Sequence, residues 1–509
     1  MAKSTTATCC ITLPLKLEKW QSDRLEKRFE LARQIYNTLL RFELNKLNRL
    51  KQNATYASVM DEIHRLLDEG KGGSAEVKAL YKTRNDMLRE AGFSEYGFKT
   101  DIKDFYKHFN ENIGSHVAVH GIAVQVWTAF DKLFFGSGKA VHFKKRGDIR
   151  SLKGGSVSGK SGGSEIMFKG NYVEWKGLRL PIKLDPQNDY ENEMLSKRIK
   201  YCRIINRPGR YKPHWYVQLS LEGFPAVKHN ADGSCRHPLG VGNVGIDIGP
   251  QTIAYSANGE AELRVLADRV ENIERQQALL QRKMDRSRRA TNPDNFMPDG
   301  TIKKGVRLNW VKSGRYLRYQ NELRYLQQRQ ALIRKQQHNE LANHLLTLGD
   351  RFFVEDMNWT SLTHRAKKTE ISEKTGRYKR KKRFGKSVAN RAPAELVSMI
   401  SLKLVSRRCA PLNKVPTGVR ASQYNHITGE YRKKPMGQRW NDMPDGHRIQ
   451  RDLYSAFLLQ HTLPDLSGFD DAALHDDYAN FVILHDAVIQ ELPSRSKVLS
   501  SMGIRRSAS

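Results

Sequence analysis

Cysteine is scarce, with five in 509 residues, and that excludes a disulfide scaffold. Cys9 and Cys10 are neighbours, while Cys202, Cys235 and Cys409 are scattered; such usage suits a reducing cytoplasm. No apolar run approaches the roughly 18 to 20 residues of a membrane-spanning helix. The opening Met1-Ala2-Lys3-Ser4-Thr5-Thr6 has no apolar core of signal-peptide length. Acidic residues are also in short supply, 54 Asp+Glu against 87 Lys+Arg, for a net charge of +33. A charge of that size repels itself in a compact state. It calls for a polyanionic partner, nucleic acid ahead of a membrane surface. Apolar residues make up 39% of the chain and are patterned, so general disorder is excluded. The length suggests about three or four domains.

What is present changes period along the chain. Ala7, Cys9, Ile11 and Leu13 alternate like a strand and stop at Pro14. A helix is expected from Asp23, with Glu26 as its capping-box partner and Leu25, Phe29, Ala32, Tyr36 and Leu39 on one face. Helical spacing continues to Phe135, broken at 69–74. From Val141 the period becomes two. Short strands are expected at 141–146, 165–168, 172–175, 200–204 and 215–219, as in a small barrel or sandwich.

A third region starts with Val244-Gly245-Ile246-Asp247-Ile248, a strand of buried type. Asn258-Gly259 then marks a hairpin. Two long polar helices are expected at 267–289 and 314–348, then a buried strand, Arg351-Phe352-Phe353-Val354-Glu355, and helices at 393–408 and 452–460.

A strand bearing an acid, a hairpin, a later strand bearing an acid and a late helix bearing a third is the ribonuclease-H-like order. In that fold Asp247 and Glu355 would project from adjacent parallel strands, and Asp452 would complete the cluster. Three focused carboxylates repel each other unless cations neutralise them. Two Mg²⁺ ions about 4 Å apart would do so, one activating water and the other stabilising the leaving 3′ oxygen of a phosphodiester. The plain alternative is that Glu355 is a solvated strand end and Asp452 a helix cap. Asp247 is harder to explain that way, because Ile246 and Ile248 imply burial, where an unpaired carboxylate is costly.

Gly245-Ile246-Asp247-Ile248-Gly249 with Thr252-Ile253-Ala254 resembles the first RuvC motif of TnpB-like RNA-guided nucleases. Val354-Glu355-Asp356-Met357-Asn358 resembles the second, and Arg451-Asp452-Leu453-Tyr454-Ser455-Ala456 a variant of the third. Residues 129–135 followed by His142-Phe143-Lys144-Lys145 are similar to the family's junction between helix and barrel. The resemblance spans most of residues 7–460.

It implies an α+β multidomain protein of the TnpB and compact type V CRISPR effector class. The N-terminal wedge-type β-barrel would carry an inserted helical recognition domain, ahead of a C-terminal RuvC-like α/β nuclease. The implied division is a first barrel strand at 1–15, helical recognition at 16–135 and barrel at 136–228. The nuclease would follow at 229–408, with an insert at 409–448, the third motif at 449–463 and an acidic extension at 464–509. The implied activity is Mg²⁺-dependent DNA cleavage, with Mn²⁺ able to substitute, directed by a guide RNA to double-stranded DNA beside a short flanking motif. Asp247, Glu355 and Asp452 become the catalytic, metal-binding acids. The family's zinc ribbon is not matched. Its interval holds only Cys409, with His426 and His447 further on, so no zinc is expected.

Residues 365–386 hold eleven Lys/Arg against two acids. Arg377, Tyr378, Lys379, Arg380, Lys381, Lys382 and Arg383 are candidates for nucleic-acid contact, with Tyr378 able to stack on a base. Lys144, Lys145 and Arg146 are a second set, whose alternative is a charge-protected strand edge. Arg286, Arg288 and Arg289 form either a phosphate stripe or a soluble helix face. Residues 465–491 reverse the sign, with seven acids and no Lys or Arg. They are either a helix packed on the nuclease or an acidic flap over a basic channel. Three other functions stay open: a guided DNA binder without cleavage, a guide-independent resolvase or transposase, and a noncatalytic RNA-binding protein.

Overall fold

The computed structural model describes residues 6–504 except 137, 156–164, 211, 366–368, 374–375, 377, 379–383 and 436, with only the backbone at 271 and 272. The chain divides into two compact units, Met1–Ala226 and Val227–Ser509.

The first unit begins with strand β1 (Thr8–Pro14) and helices α1 (Lys19–Lys51), α2 (Ala54–Asp68), α3 (Ala75–Glu90), α4 (Glu95–Asp101) and α5 (Lys103–Tyr106). A π-helical stretch, Val117–Ala123, runs into α6 (Val124–Phe135). Strands β2 (Ser151–Lys153), β3 (Ile166–Phe168), β4 (Tyr172–Trp175) and β5 (Leu178–Pro181) follow, then α7 (Asp189–Ser196), β6 (Ile199–Arg207) and β7 (His214–Glu222). β1 pairs antiparallel with β7, Thr8 opposite Glu222 and Pro14 opposite Tyr216, so the helices interrupt a sheet that the end of the unit completes.

α1 starts at Lys19 rather than Asp23. The Gln21 side chain accepts a 2.8 Å hydrogen bond from the Glu18 N–H, while Asp23 pairs with Lys19 at 2.9 Å. The apolar face of α1 lands on the strands, Phe29 meeting Trp215 edge-on at 5.0 Å. Arg28 donates to the carbonyls of Trp175 and Lys176.

No closed barrel forms among the described residues. β1-β7-β6-β2 is one sheet and β3-β4-β5 a second. Residues 141–146, expected as a strand, do not form one. Asn37 of α1 donates to the Lys144 carbonyl at 2.9 Å and accepts from its N–H at 2.8 Å. One side chain thus takes both backbone groups of Lys144 that a neighbouring strand would use. The glycine-rich stretch before β3 lies largely outside the described residues.

The second unit is built on β8 (Asn243–Ile248), β9 (Thr252–Ala257), β10 (Glu260–Val265), β11 (Arg351–Glu355) and β12 (Asn413–Val415), in the order β10-β9-β8-β11-β12. β8, β9 and β10 are antiparallel neighbours, and the β9–β10 turn closes at Asn258-Gly259, with Gly259 at φ +83°. β11 is parallel to both β8 and β12. α8 (Glu271–Thr291) and α9 (Gly314–Leu348) separate β10 from β11. α10 (Trp359–Thr363), α11 (Gly385–Arg391) and α12 (Pro393–Ser406) lead to β12. Two small ribbons, β13–β14 (Tyr424–Asn425 with Glu430–Tyr431) and β15–β16 (Trp440–Asp442 with Arg448–Gln450), occupy the interval where a zinc ribbon would stand. α13 (Arg451–Gln460) and α14 (Asp471–Glu491) complete the unit. Among the described residues no helix is long and apolar enough to cross a membrane.

The acidic extension is a packed element. Leu474, Phe481, Val482 and Val488 of α14 are buried in one core with Leu453, Phe457 and Leu458 of α13, and Phe481 stacks on Phe457 at 4.3 Å. His485 of α14 accepts a 2.9 Å hydrogen bond from the N–H of Gln450, the residue that caps α13. Each such apolar side chain contributes roughly 1.5–3 kcal/mol against a net stability of about 5–15 kcal/mol. Deleting residues 465–509 is therefore expected to unfold or aggregate the second unit rather than uncover a channel. A truncated protein that stays soluble, keeps its melting temperature and binds no more of an apolar dye would contradict this packing role.

Candidate active site

β8 alternates buried Val244, Ile246 and Ile248 with Asp247, which faces the same side as Gly245. β11 runs parallel to it with Phe353 opposite Gly245 and Val354 opposite Ile246, so Glu355 follows one step on beside Asp247. The third acid comes from α13, which lies on β8 at Gly245. A Cβ at that glycine would stand 2.0 Å from the Ala456 carbonyl oxygen and 2.2 Å from the Gln460 nitrogen. Only a residue without a side chain permits the approach. Ser256 donates to Gln460 at 2.7 Å, and Gln460 donates to Asn258 at 3.0 Å, tying the far end of the helix to the hairpin.

Asp452 is not the helix cap. The Gln450 side chain does that work, accepting from the N–H groups of Asp452 at 2.7 Å and Leu453 at 2.8 Å. The Asp452 carboxylate is thereby free for other partners, and the plain explanation of this residue loses its footing.

The electrostatics are those of a crowded acidic site. Asp247 retains some exposed surface, yet protein packs densely around its carboxyl group. Burial first, then the Asp452 and Glu355 carboxylates, hold its pKa well above the usual carboxylate range, with Arg451 acting in the opposite direction. Burial also pushes Glu355 up. Ser455, one turn beyond Asp452, lies close enough to favour ionised Asp247. Its buried hydroxyl nonetheless makes no geometrically sound hydrogen bond among the described residues.

Asp452 is engaged by two arginines. Arg451 donates through Nε at 3.3 Å and Nη2 at 3.2 Å, and Arg439 Nη1 stands 3.8 Å from the same oxygen. Among the described residues no three His, Cys, Asp or Glu side chains stand close enough to hold an ion as they are. In type the donors suit a hard divalent cation, since all are carboxylates and the buried one is destabilised by its neighbours' charge. Asp247, Glu355 and Asp452 are the residues that would hold it.

Arg451 and Ser455 fall within the third motif, residues 451–456, so their nearness to Asp452 could have been read from the sequence. Arg439 could not, because the β15–β16 ribbon brings it back. The basic candidates separate. Lys144 is pinned to Asn37 by its backbone, its ammonium lying 5.5 Å from the Tyr36 ring centre, while Lys145 and Arg146 are exposed beside it. Tyr378 is 74% exposed, whereas Arg377, Lys379, Arg380, Lys381, Lys382 and Arg383 lie outside the described residues. Arg288 and Arg289 pair with Asp285 at 2.6 and 2.7 Å and lean on Phe296, so both help hold the loop after α8.

A further surface went unnoticed in the sequence. On β2, β6 and β7 the positions that alternate with buried Leu152, Cys202, Ile204 and Val217 carry Lys153, Tyr201, Arg203, Arg207 and Tyr216. Lys153 sits 4.1 Å from the Tyr201 ring centre and Arg207 4.5 Å from that of Tyr216. Burial first, then the nearby Arg203 and Lys99, hold the Lys153 pKa down, with Glu95 acting in the opposite direction.

No protein-family model matches the chain, and no curated protein matches it. Among solved structures it is similar to a Cas12f1–sgRNA–target DNA complex seen by cryo-EM, at 12% identity and a TM-score of 0.42, covering 90% of this chain and 99% of that one. It is also similar to a CRISPR-Cas12f ternary complex, at 13% identity and a TM-score of 0.25, covering 89% of this chain and 86% of that one. Likeness at this level carries no inference about chemistry, which rests on the residues themselves.

Because folded Asp247 holds its proton more tightly than the unfolded chain does, its contribution is favourable near pH 4 and is lost as pH rises through its folded pKa. Asp247→Asn is therefore expected to raise the metal-free melting temperature at pH 7–8 by about 2–4 °C for each kcal/mol gained. The gain should shrink as pH falls toward 4. Calorimetry in EDTA across that range checks it, and a gain independent of pH would contradict the assignment.

Proposed function

We propose that the protein is a divalent-metal-dependent DNA endonuclease of the RuvC type, directed to its target by a guide RNA. The observation that carries the nuclease part is the convergence of Asp247, Glu355 and Asp452 from β8, β11 and α13, near enough for two of them to raise the pKa of the first. Strand order supports it, since three antiparallel strands followed by two parallel ones is the ribonuclease-H-like arrangement. The guide-RNA part rests on the motif resemblance at 245–249, 354–358 and 451–456.

In this reading the three carboxylates hold Mg²⁺, which when bound supplies the activation of water and the stabilisation of the leaving 3′ oxygen. Asp247 and Glu355 are held rigidly by the strand ladder, and Asp452 by the Gln450 cap. Buried apolar residues on the same face of the sheet, Ala254 opposite Asp247 and Phe353 two residues before Glu355, lower the local dielectric and strengthen each charge interaction at the site. The recognition role belongs to the first unit, where the face bearing Tyr201, Arg203, Arg207 and Tyr216 offers cations and rings to single-stranded bases and phosphates. The exposed Lys145 and Arg146 would add to this, and Tyr378 of the second unit is a separate candidate for base stacking. Residues 16–135 are the recognition insert of this scheme, and residues 409–448 are an insert that needs no zinc.

Sequencing the RNA that copurifies, followed by cleavage of matched DNA in Mg²⁺, tests the reading. A discrete scaffold with a variable guide is expected. Cleavage should be abolished by EDTA, by Asp247→Ala and by Glu355→Ala, with RNA binding retained. Equal cleavage after complete RNA removal would favour a guide-independent resolvase or transposase. Guided binding with no cleavage by the wild type in Mg²⁺ or Mn²⁺ would favour a pure binder.

A further inference from the structure

We propose that Arg451, backed by Arg439, is a built-in counter-ion of the carboxylate cluster which a divalent cation must displace, so that these arginines set the protein's metal affinity. The inference rests on the metal-dependent reading above.

Arg451 is placed where such a cation would act. It donates twice to one oxygen of Asp452, and it is the cation that stabilises ionised Asp247. It therefore offsets charge on two of the three acids, while no ion pair to Asp247 or Glu355 is present among the described residues. Nor is it a loose surface side chain. Arg451 and Arg439 are 18% and 26% exposed. Arg451 Nη1 donates to the Gln438 carbonyl at 3.2 Å, and its backbone N–H to the Arg439 carbonyl at 2.9 Å. Arg439 packs against the turn at Gly503, where a Cβ would stand 2.5 Å from its own Cβ.

All three arginine contacts fall on Asp452 Oδ1, and a divalent cation taking that oxygen would be set against the like charge of the guanidinium, so the two compete for it. With Asp452 so held, the three acids do not gather round a single point. The exchange needs no movement of α13, because the Gln450 side chain fixes the backbone of Asp452 and Leu453 whichever way the carboxylate turns. The half-buried acids are thus never without a neutralising charge, and metal enters by replacing a guanidinium.

The test is a Mn²⁺ titration of the full-length protein without nucleic acid, followed by electron paramagnetic resonance, with melting temperatures taken in parallel. Arg451→Gln is expected to bind Mn²⁺ about tenfold tighter than the wild type, because a competing like charge is removed. It should also melt lower in EDTA and recover the difference when Mn²⁺ is added. Arg451→Lys, which restores the charge, should return affinity toward the wild-type value, and Asp452→Asn should abolish the site. A purely structural arginine would give the opposite sign, since losing it loosens the ligands. Mn²⁺ binding by Arg451→Gln that is equal to or weaker than the wild type, with Asp452→Asn still abolishing it, overturns the counter-ion role and leaves the nuclease reading standing. If neither Asp247→Asn nor Asp452→Asn alters Mn²⁺ binding, the metal-dependent reading falls and this inference with it. Should Arg451→Gln fail to fold, Arg439→Gln carries the test: tighter Mn²⁺ binding supports the exchange and unchanged binding overturns it.

Discussion

The contact between α13 and β8 at Gly245 is the constraint on which the second unit depends. Backbone meets backbone there, with the Ala456 carbonyl and the Gln460 N–H filling the space any side chain would need. That approach sets the height of the helix over the sheet and so places Asp452 beside Asp247. It also explains why α13 is buried almost throughout, from Leu453 to Gln460. A helix that close to a strand must be apolar or hydrogen-bonded on every side, and α14, the hairpin and the ribbons supply those surroundings. The acidic extension belongs to this scheme. It covers the outer face of α13 and, through His485, steadies the residue that caps it.

Charge is distributed on two scales. Over the whole chain the excess is positive and faces outward, as in the exposed Lys145 and Arg146 and the cation–ring clusters on β2, β6 and β7. At one point the sign reverses, and three carboxylates lie near enough to interact, with burial penalising Asp247 and Glu355. Proteins keep such arrangements when the local charge is put to use. The arginines beside Asp452 relieve the strain inside the chain, and the basic exterior attracts the polyanion that would be brought to it. In the proposed function, long-range attraction and short-range repulsion serve the same substrate class.

Much of the second unit was legible in advance because its elements are strongly patterned. The run Val244–Ile248, the Asn258-Gly259 turn and the 35-residue α9 each carry a local signal that no neighbour overrides. The first unit was less legible. Val141–Arg146 alternates like a strand, yet Asn37, more than a hundred residues earlier, takes the hydrogen bonds a strand partner would have made. The start of α1 shifted for a similar reason, because Glu18 and Gln21 cap each other ahead of Asp23. A period of two or a capping pattern says what a segment can do; competition among side chains for backbone groups decides what it does.

The sequence by itself determined the sign and size of the charge, the scarcity of cysteine, and the order strand-acid, hairpin, strand-acid, helix-acid. These follow from composition and local periodicity, which need no knowledge of distant contacts. Only the tertiary structure decided that Gln450 rather than Asp452 caps α13, that Arg439 and Arg451 stand against the third acid, and that the acidic tail is part of the core. Gln450, Arg451 and Asp452 are neighbours in the chain, but which of them caps the helix and which way each side chain turns is set by contacts from the β15–β16 ribbon and α14, which spacing along a sequence does not encode.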